Sequence, residues 1–519
     1  MTVLFLIVKS TYNIKKQSVN VNRKEIDLEI LKLKSGRSSA DADLIEEYFR
    51  KLDDRIGLYS FRRRQMLQDF LKAFDRYLDE GKDVKDICEL IDPCHLGSFY
   101  QDDSREDYDL DNAAIVYPLG MRYGRMPMFR MSVTLKHDID PVLLQIAMYF
   151  TAKRFPVFQT AVKTGFFWHY LETTHDLPLI EEEKDVPCKP ISIILRSNRS
   201  YRVFYFKKRI SIEFFHVLTD GSGALIFLKT LTAEYLRLSG FERVCGEGVL
   251  DIDGEIDEEE LLNGFERAEG EDDIGTFLDR SSLQLDGKLS AVRPHHIIHY
   301  DMDLSELKTV SKKYDVTITA FLLAVMFMSA RKAIKKEKGI FNIQVPVNMR
   351  KFNGSRTLRN YSMYFSATEE IGNLMAFKDL VKDINEQIKE KGSEKVMNRM
   401  MKATGKLIRM VAPIPLFLKN PVVQIAYGYL GNSIIGSVLS NIGAVRVPEE
   451  IKDEIDHFDF LLVPDEPNRV SCTLVSYRDR IRFSVISATE EKRFEEEIYR
   501  LLEEEGISIK LEGSIDYGA

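Results

Sequence analysis

The sequence predicts an α+β protein with two lobes of mixed strands and helices and a mainly helical N-terminal extension. The chain has 519 residues, which is long enough for two or three domains of roughly 100–200 residues each. Strand and helix patterns alternate in two separate regions, and an acidic segment lies between them. We therefore divide the chain into an N-terminal extension (1–105), an N-lobe (106–245), an acidic linker (246–292) and a C-lobe (293–519).

The composition and the charge exclude several classes of protein. Apolar residues make up 44% of the chain and charged residues 30%, which is typical of globular chains and not of disordered, collagen-like or disulfide-rich ones. The net charge is −8, but residues 251–280 contain 13 Asp and Glu against two Arg. The rest of the chain is nearly neutral, so we expect no nucleic-acid partner. We interpret Glu247–Asp286 as a surface linker with a short helix near Glu255–Leu262.

The cysteines and histidines indicate a protein of the reducing cytoplasm without a metal site. The five cysteines form an odd number and include no CxxC spacing, so neither a disulfide framework nor a zinc site is predicted. His295, His296 and His299 are close in sequence. On a strand, however, His296 points to the face opposite the other two, and further ligands are lacking.

Helices are predicted in the N-terminal extension, but no chemistry is. Ser38 and Ser39 precede Ala40–Lys51 in the pattern of a capped helix, and Phe61–Leu78 carries an apolar stripe. Met1–Val8 is apolar but short and lacks a basic start and a cleavage site, so we interpret it as a strand rather than a signal peptide. The role of residues 1–105 stays open.

No apolar run is long enough to span a bilayer, which needs about 20 residues. The longest unbroken runs, Ala320–Met328 and Met410–Leu418, have nine residues, and the uncharged stretch Asn420–Val445 is interspersed with polar residues and glycines. We interpret this stretch as a buried segment. The basic segment Lys395–Arg409 precedes Met410–Leu418 and contains several methionines, which favours core packing. Peripheral contact with a membrane is the alternative.

In the N-lobe, strand and helix patterns follow one another closely. Phe129–Leu135 alternates as a strand, and Asp140 begins a helix. Two short strands, Tyr201–Phe206 and Arg209–Phe215, are joined by a Lys-Lys turn, and an apolar helix covers Gly223–Leu238.

In the C-lobe, the pattern begins again with the strand His296–Leu304, the helix Thr317–Arg331 and the strand Gly339–Val347. Val470–Ser487 predicts two antiparallel strands joined at Arg478–Arg480. Two such lobes in one chain form a cleft between them without a partner, so we expect a monomer with the active site in that cleft.

The segment most indicative of chemistry is His216-x-x-x-Asp220-Gly221. His216 follows an apolar strand, and burial at the cleft would lower its pKa and keep it neutral, so that it can accept a proton. Gly221 and Gly223 would let the chain turn tightly into the next helix. The alternative is an ordinary turn in which the histidine has no catalytic role.

In this context the segment resembles the active-site motif of the coenzyme A-dependent acyltransferase superfamily, which includes chloramphenicol acetyltransferase, plant acyltransferases and condensation domains of peptide synthetases. The chain is most similar to the bacterial alcohol acetyltransferase-like branch. The resemblance covers about Leu110 to Ser487 and rests on further segments: Leu110-Asp-Asn-Ala-Ala-Ile-Val-Tyr-Pro118, Arg154-Phe-Pro-Val-Phe158, Gly165-Phe-Phe-Trp-His-Tyr-Leu-Glu172, Val345-Pro-Val-Asn-Met-Arg350, Leu358-Arg-Asn-Tyr361 and Leu439-Ser-Asn-Ile-Gly443.

The resemblance implies a chloramphenicol acetyltransferase-like fold with the active site between its lobes, and a role for each matched residue. His216 would be the general base, and Asp220 would point away from the cleft and hold an arginine, for which Arg350 is the candidate. Such a pair could be bidentate and would tie the His216 loop to the C-lobe. Ser440 and Asn441 are candidate donors to an oxyanion or to substrate, with a turn-forming Ser-Asn as the alternative.

The resemblance also implies the substrates. An acyl-coenzyme A, acetyl-coenzyme A first, would be the co-substrate, an alcohol or amine would accept the acyl group, and no cofactor would be permanently bound. Condensation domains and wax-ester synthases have two histidines before the motif, whereas Phe215 takes the first place here, which favours simple acetyl transfer. Two alternatives stay open: a non-catalytic scaffold with the same fold, and a free-standing condensation enzyme that uses a carrier-protein thioester.

Overall fold

The structure is a computed structural model, and it has the α+β fold that the sequence predicts. The described residues are 25–57, 60–101, 106–120, 126–191, 199–267, 280–373, 375–419, 435–464 and 468–513. The predicted strand Met1–Val8 and residues 420–434 of the uncharged stretch lie outside them.

The strands of the described residues form three sheets. The strands are β1 (Asp107–Asp109), β2 (Met128–Leu135), β3 (Thr160–Thr164), β4 (His169–Thr173), β5 (Ile180–Glu182), β6 (Tyr201–Phe206), β7 (Arg209–Phe215), β8 (His296–Asp303), β9 (Ile340–Asn348), β10 (Ser362–Glu370), β11 (Ser437–Val445), β12 (Ile455–Leu462), β13 (Val470–Tyr477), β14 (Arg480–Ser487) and β15 (Ile509–Gly513).

The longer helices cover the faces of these sheets or form the N-terminal region. They are α1 (Ser39–Arg55), α2 (Ser60–Asp79), α3 (Val84–Leu90), α4 (Pro141–Ala152), α5 (Gly221–Leu238), α6 (Leu304–Lys313), α7 (Ile318–Ala333), α8 (Phe377–Lys391), α9 (Glu394–Val411) and α10 (Arg493–Glu504). Single-turn α-helices cover Tyr117–Gly120, Glu258–Leu261, Arg350–Asn353 and Glu449–Lys452.

The N-lobe is a five-stranded sheet in the order β12-β2-β7-β6-β5, with α4 and α5 packed on one face. Alternate strand residues point to that face. Phe214 of β7 contacts Phe158 and Phe227 there, at ring-centroid distances of 5.7 and 6.1 Å. The predicted bounds of β6 and β7 are confirmed. The strand β7 therefore has a well-packed apolar face, and it ends at the residue before His216.

One strand of this sheet comes from the far end of the sequence. β12 pairs antiparallel with β2, with Phe460 opposite Met131. The sequence predicted that all residues from 293 to 519 belong to the C-lobe. β12 lies within that range but joins the sheet of the N-lobe. Hydrophobic patterning indicates that a strand is buried, but not which sheet it joins. The crossing ties the two lobes together through backbone hydrogen bonds.

The C-lobe is a seven-stranded mixed sheet in the order β10-β9-β11-β13-β14-β8-β15. β13 and β14 form the predicted hairpin, with Tyr477 paired to Arg480. The helix α7 is capped by Thr317, whose side chain accepts from the backbone N–H of Ala320. Most of α7 is buried in the core of this lobe.

The N-terminal extension packs against the N-lobe and shares its core. Phe70 of α2 contacts Tyr149 and Phe150 of α4, at ring-centroid distances of 6.3 and 5.9 Å. The hydroxyl of Tyr77 donates to the carbonyl of Leu238 at 2.6 Å. The described helices of the extension are therefore part of the N-lobe core and not the separate element that the sequence indicated.

The described parts of the acidic segment are also packed. Arg154 of the N-lobe forms a buried bidentate pair with Glu260, at 2.5 and 2.8 Å, and Phe265 packs on Tyr361 of the C-lobe at 5.5 Å between ring centroids. The helix Glu258–Leu261 agrees with the predicted short helix. This part of the segment therefore bridges the two lobes, where a loose surface linker was expected.

No single helix among the described residues is both long and apolar enough to cross a membrane. The consecutive helices α6 and α7 reach the required length and apolar composition only when they are taken together, and the pair is bent by 80° at its junction.

Candidate active site

His216 lies at the end of β7, where the N-lobe sheet meets the loop into α5. Its backbone N–H donates to the carbonyl of Pro127 at 2.9 Å. The imidazole lies between the rings of Phe129 and Tyr117, at centroid distances of 5.0 and 5.1 Å, and is partly exposed. Burial among these groups lowers the pKa of His216 below its ordinary 6.5. The histidine is therefore neutral at neutral pH.

A buried asparagine from the C-lobe holds this histidine. Oδ1 of Asn360 lies 2.9 Å from Nδ1 of His216. The amide nitrogen of Asn360 donates to Oδ2 of Asp111 at 3.2 Å and to the carbonyl of Val217 at 3.3 Å. Asn360 is fully buried. The chain Asp111–Asn360–His216 thus connects residues that are 144 and 249 positions apart.

This network determines the tautomer of the histidine. An ionised carboxylate and a backbone carbonyl can only accept hydrogen bonds, so the NH₂ group of Asn360 must face Asp111 and Val217. Its oxygen then faces Nδ1 of His216 and needs a donor there. The proton of neutral His216 is therefore on Nδ1, and the lone pair on Nε2 is free to accept another.

Asp111 is a carboxylate that burial makes unusually easy to protonate. Burial raises the pKa of Asp111 to about 6, against the opposing effects of Arg359, the backbone N–H of Ala114 and Asn360. At neutral pH, above this pKa, the carboxyl of Asp111 is still ionised. Below its pKa a proton would turn the carboxyl into a donor and remove the constraint on the amide of Asn360.

Asp220 is the N-cap of α5 and lies four residues after His216, at the end of the same loop. Its Oδ1 accepts from the backbone N–H groups of Ser222 and Gly223 at 3.1 and 3.2 Å. Its Oδ2 accepts from Arg350 at 2.7 Å and from the N–H of Tyr361 at 2.8 Å. Burial alone would raise the pKa of Asp220, but Arg350 and the N–H donors outweigh it and hold the pKa below its usual range.

Arg350 follows β9 in the short helix Arg350–Asn353 and is largely buried. Besides Asp220, its guanidinium donates to the carbonyls of Thr357 and Arg359, at 2.8 and 2.6 Å. Arg350 is therefore not an exposed residue at the end of a strand, because only 11% of its side chain is accessible. The pair is also not bidentate, because Oδ2 of Asp220 alone contacts Arg350, through one nitrogen. Further donors of the guanidinium bond to these two carbonyls and to Oδ1 of Asn348, at 3.2 Å.

Gly221 and Gly223 lie at a close approach between α5 and the C-lobe and not at the predicted tight turn. Neither has the positive φ of a tight turn, as other glycines of the chain have. A Cβ on Gly223 would collide with the backbone carbonyl of Leu358, whereas one on Gly221 would meet only Cδ1, the flexible end of Ile442. Both glycines allow the start of α5 to approach the C-lobe closely.

The candidate donors Ser440 and Asn441 lie on β11, beside Ile442. Ser440 is buried, and among the described residues no hydrogen bond of its hydroxyl is found. Asn441 is exposed, and its amide donates to Thr319 at 3.1 Å while its oxygen accepts from the N–H of Gly443 at 2.8 Å. β11 has a bulge between Asn441 and Gly443. The contact of Ile442 with Gly221 brings this strand to the His216 loop.

Comparison with solved structures gives the fold. No protein-family model matches the sequence, and no curated protein matches it. Trichothecene 15-O-acetyltransferase from Fusarium sporotrichioides superposes with a TM-score of 0.51 at 12% identity, over 77% of this chain and 94% of that one. Polyketide synthase associated protein 5 from Mycobacterium tuberculosis gives 0.52 at 12% identity, over 76% and 97%. The chain has the chloramphenicol acetyltransferase-like fold.

A third relative in structure carries a ligand. A variant of the starter condensation domain of rhizomide synthetase, in complex with C8-CoA, superposes with a TM-score of 0.52 at 10% identity, over 77% of this chain and 94% of that one. Identities this low show the fold alone. The resemblance to the coenzyme A-dependent acyltransferase superfamily is therefore confirmed at the level of the fold. The bacterial alcohol acetyltransferase-like branch stays a prediction.

The structure also shows where Phe215 and the histidines of the segment 295–299 lie. Phe215, where some branches have a second histidine, is buried in the N-lobe core. His296 contacts Glu495 at 3.0 Å and His299 contacts Ser484 at 2.7 Å. In the described parts of the chain, no three His, Cys, Asp or Glu side chains are grouped to hold a metal ion.

Sequence reasoning did not assign roles to Asn360, Asp111 or Tyr117. All three lie inside segments that carry the resemblance, Leu110–Pro118 and Leu358–Tyr361, and this is the signal that could have found them. Residue type gave no further indication, because a single Asn or Asp is far more often a turn or cap residue. Only the fold brings them to His216.

Proposed function

We propose that this chain is an acyltransferase that moves an acyl group from a coenzyme A thioester to the hydroxyl or amine of a small acceptor, with His216 as the general base. The observation that carries the proposal is the hydrogen-bond chain Asp111–Asn360–His216, which leaves Nε2 of a neutral histidine free to accept a proton. The fold supports it, because solved proteins with this fold include an acetyltransferase.

One histidine is sufficient for both proton transfers of this reaction. The acceptor O–H or N–H gives its proton to Nε2 of His216 while its heteroatom forms a bond to the thioester carbonyl carbon, and the carbonyl electrons move to oxygen. The resulting oxyanion then re-forms the carbonyl, and the C–S bond breaks. The leaving thiolate takes the proton from Nε2, so that the ester or amide and the free thiol are released and His216 is neutral again.

Between the two proton transfers His216 is an imidazolium. Oδ1 of Asn360 accepts the Nδ1 proton throughout, and the negative charge of Asp111 lies one residue further along the same chain. Both stabilise the positive ring and hold its orientation. Asn360 and Asp111 are thus positioning residues in this proposal.

Asp220 and Arg350 have a structural role in the proposal. Both carboxylate oxygens of Asp220 accept hydrogen bonds, and the donors are Arg350 and three backbone N–H groups. A carboxylate held in this way is a poor proton carrier, because its pKa is below the usual range. The pair instead fixes the His216 loop against the C-lobe.

Of the two predicted oxyanion donors, we favour Ser440. An oxyanion donor must be available to the developing charge. The Ser440 hydroxyl has no competing partner among the described residues, whereas the amide of Asn441 is already bonded to Thr319. We assign Ser440 the donor role and Asn441 a local one at the bulge of β11.

The donor and acceptor class is the finer part of the proposal. An acetyl donor and an alcohol acceptor follow from the resemblance and from Phe215. A carrier-protein thioester is the second candidate, because condensation and epimerization domains are among the structures with this fold. A non-catalytic scaffold is disfavoured, since it would not need a base held in one tautomer.

The test is a thiol-release assay with the full chain. Acetyl-coenzyme A, octanoyl-coenzyme A and a carrier-bound acyl thioester are each offered with a panel of alcohols and amines. His216→Ala should lower turnover by about 10²–10⁴ while leaving the fold intact, as circular dichroism would show. His137→Ala is the control, because 82% of that side chain is exposed. Near-wild-type turnover in His216→Ala would remove the proposal, and activity with the carrier-bound donor alone would favour the second candidate.

A further inference from the structure

Eight large apolar side chains are exposed together where the β3–β4 hairpin meets the end of α9. The most exposed are Phe417 (66%), Phe166 (65%) and Met410 (63%). We call this surface the apolar tip, and its members are Phe166, Phe167, Leu407, Met410, Val411, Ile414, Phe417 and Leu418.

Direct contacts join the two segments of the apolar tip. The backbone N–H of Leu416 donates to the carbonyl of Phe166 at 2.8 Å. Lys419 donates to the carbonyl of Phe167 at 3.0 Å, and its ammonium lies 3.2 Å from the ring centroid of Trp168. The N-lobe hairpin and the C-lobe segment therefore present one continuous surface.

The apolar tip is distinct from the core-facing side of α9. Met397, Met400 and Met401 are buried in the C-lobe core, as the sequence predicted. The following turns expose Leu407, Met410 and the residues after them. Contiguous exposed apolar surface of this kind is uncommon on soluble proteins and marks a binding surface.

The charge of α9 indicates what the apolar tip meets. This helix has five basic residues against one acidic residue, in a chain whose net charge is −8. All five are partly or fully exposed, and they lead along the helix to the apolar tip: Lys395, Arg399, Lys402, Lys406 and Arg409. Large apolar side chains beside a row of cations match the boundary between acyl chains and anionic headgroups in a bilayer.

We propose that the apolar tip docks on the surface of a bilayer that contains anionic lipids. The phenylalanine and aliphatic side chains enter the boundary between headgroups and acyl chains, and the basic residues of α9 lie at the lipid phosphates. The proposal rests on exposure and charge, and does not depend on the role of His216.

The single tryptophan of the chain gives a specific readout. Trp168 is the only Trp and lies beside the apolar tip, so its emission reports on this surface. We expect a blue shift with vesicles of phosphatidylcholine and phosphatidylglycerol, quenching by brominated lipids, and loss of the shift at high salt. Phosphatidylcholine vesicles alone should produce a much smaller shift.

Variants separate the apolar from the charged contribution. Phe166→Ser combined with Phe417→Ser should weaken partitioning into the anionic vesicles by at least about tenfold. Lys395→Glu combined with Arg399→Glu should weaken it by about tenfold, in low salt only. Leu511→Ser, at a side chain that is 51% exposed on β15, is the control and should leave binding unchanged.

Three results would overturn the proposal. The first is Trp168 emission that responds to no vesicle composition, and the second is a shift that Phe166→Ser with Phe417→Ser leaves intact. The third is a concentration-dependent dimer, measured by light scattering, that these serine substitutions abolish, because a second copy would then be the occupant. Brominated-lipid quenching of the unmodified chain tests docking even if a variant folds poorly.

Discussion

Two buried aspartates support the His216 site, and they differ in what surrounds them. Asp220 accepts four hydrogen bonds, one of them from Arg350, and its pKa is held below the usual range. Asp111 accepts from the N–H of Ala114 and from Asn360, and burial raises its pKa to about 6. Donor number and a paired cation thus decide whether a buried carboxylate is a fixed charge or a titratable group.

The difference separates two tasks in the site. Asp220 ties the start of α5 to the C-lobe and so fixes where His216 lies. Asp111 acts through Asn360 and so fixes which nitrogen of His216 carries the proton. Substitutions at Asp220 should therefore mainly lower the free energy of unfolding. Substitutions at Asp111 and Asn360 should mainly change properties that depend on the proton of Asp111 or of His216.

The largest expected effect is on the Asp220–Arg350 pair. Removing one partner leaves the other charge buried and unpaired, so Asp220→Asn and Arg350→Met should each lower the free energy of unfolding by about 3–5 kcal/mol. The measurement is denaturant unfolding of each variant. Glu386→Gln is the control, because the Lys389–Glu386 pair is exposed and should contribute at most about 1 kcal/mol.

A double variant makes this prediction specific to the contact. Asp220→Asn with Arg350→Met should be less destabilised than the two single losses combined, because no orphaned charge is left. Strictly additive losses would mean that the two residues do not interact energetically, and the tie between the lobes would then depend on other contacts.

The second effect is a pH dependence of stability at Asp111. Because its pKa in the folded state is about 6 and its ordinary value is 3.8, the folded state binds the proton more readily. Stability therefore falls as pH rises from about 4 to about 6 and is level above that range. Asp111→Asn removes this loss, so its stability relative to wild type should rise by at most about 3 kcal/mol across the range.

Unfolding of both proteins at several pH values checks this prediction. The other titrating groups are the same in the two proteins, so the difference between them isolates Asp111. A difference that does not change with pH would show that Asp111 titrates like an exposed carboxylate, and the contrast with Asp220 would then be lost.

The same contrast shows what could be predicted from the sequence. The bounds of β7, the position of His216 at its end and the contact between Asp220 and Arg350 were predicted, because strand alternation and the motif are local or carried by the resemblance. The role of Asn360, the pairing of β12 with β2 and the packing of α2 on α4 were not. Each depends on which distant elements meet, and periodicity reports only that a face is buried.

The smallest effect is at Asn360, which connects the two tasks. Asn360→Leu keeps the branching of the side chain but removes the acceptor for Nδ1–H of His216, so the tautomer with a free Nε2 loses its preference. The loss of one hydrogen bond, about 1.4 kcal/mol, corresponds to a tenfold lower kcat. KM for the acyl donor should change little, because Asn360 is fully buried and its hydrogen bonds go to His216, Asp111 and Val217. Asn385→Leu is the matched control, since Asn385 is a buried asparagine on α8 that accepts from the N–H of Thr317. It should cost stability without lowering kcat. Equal kcat in wild type and Asn360→Leu would leave the tautomer of His216 without a catalytic role, and Asp111 and Asn360 would then be structural residues like Asp220.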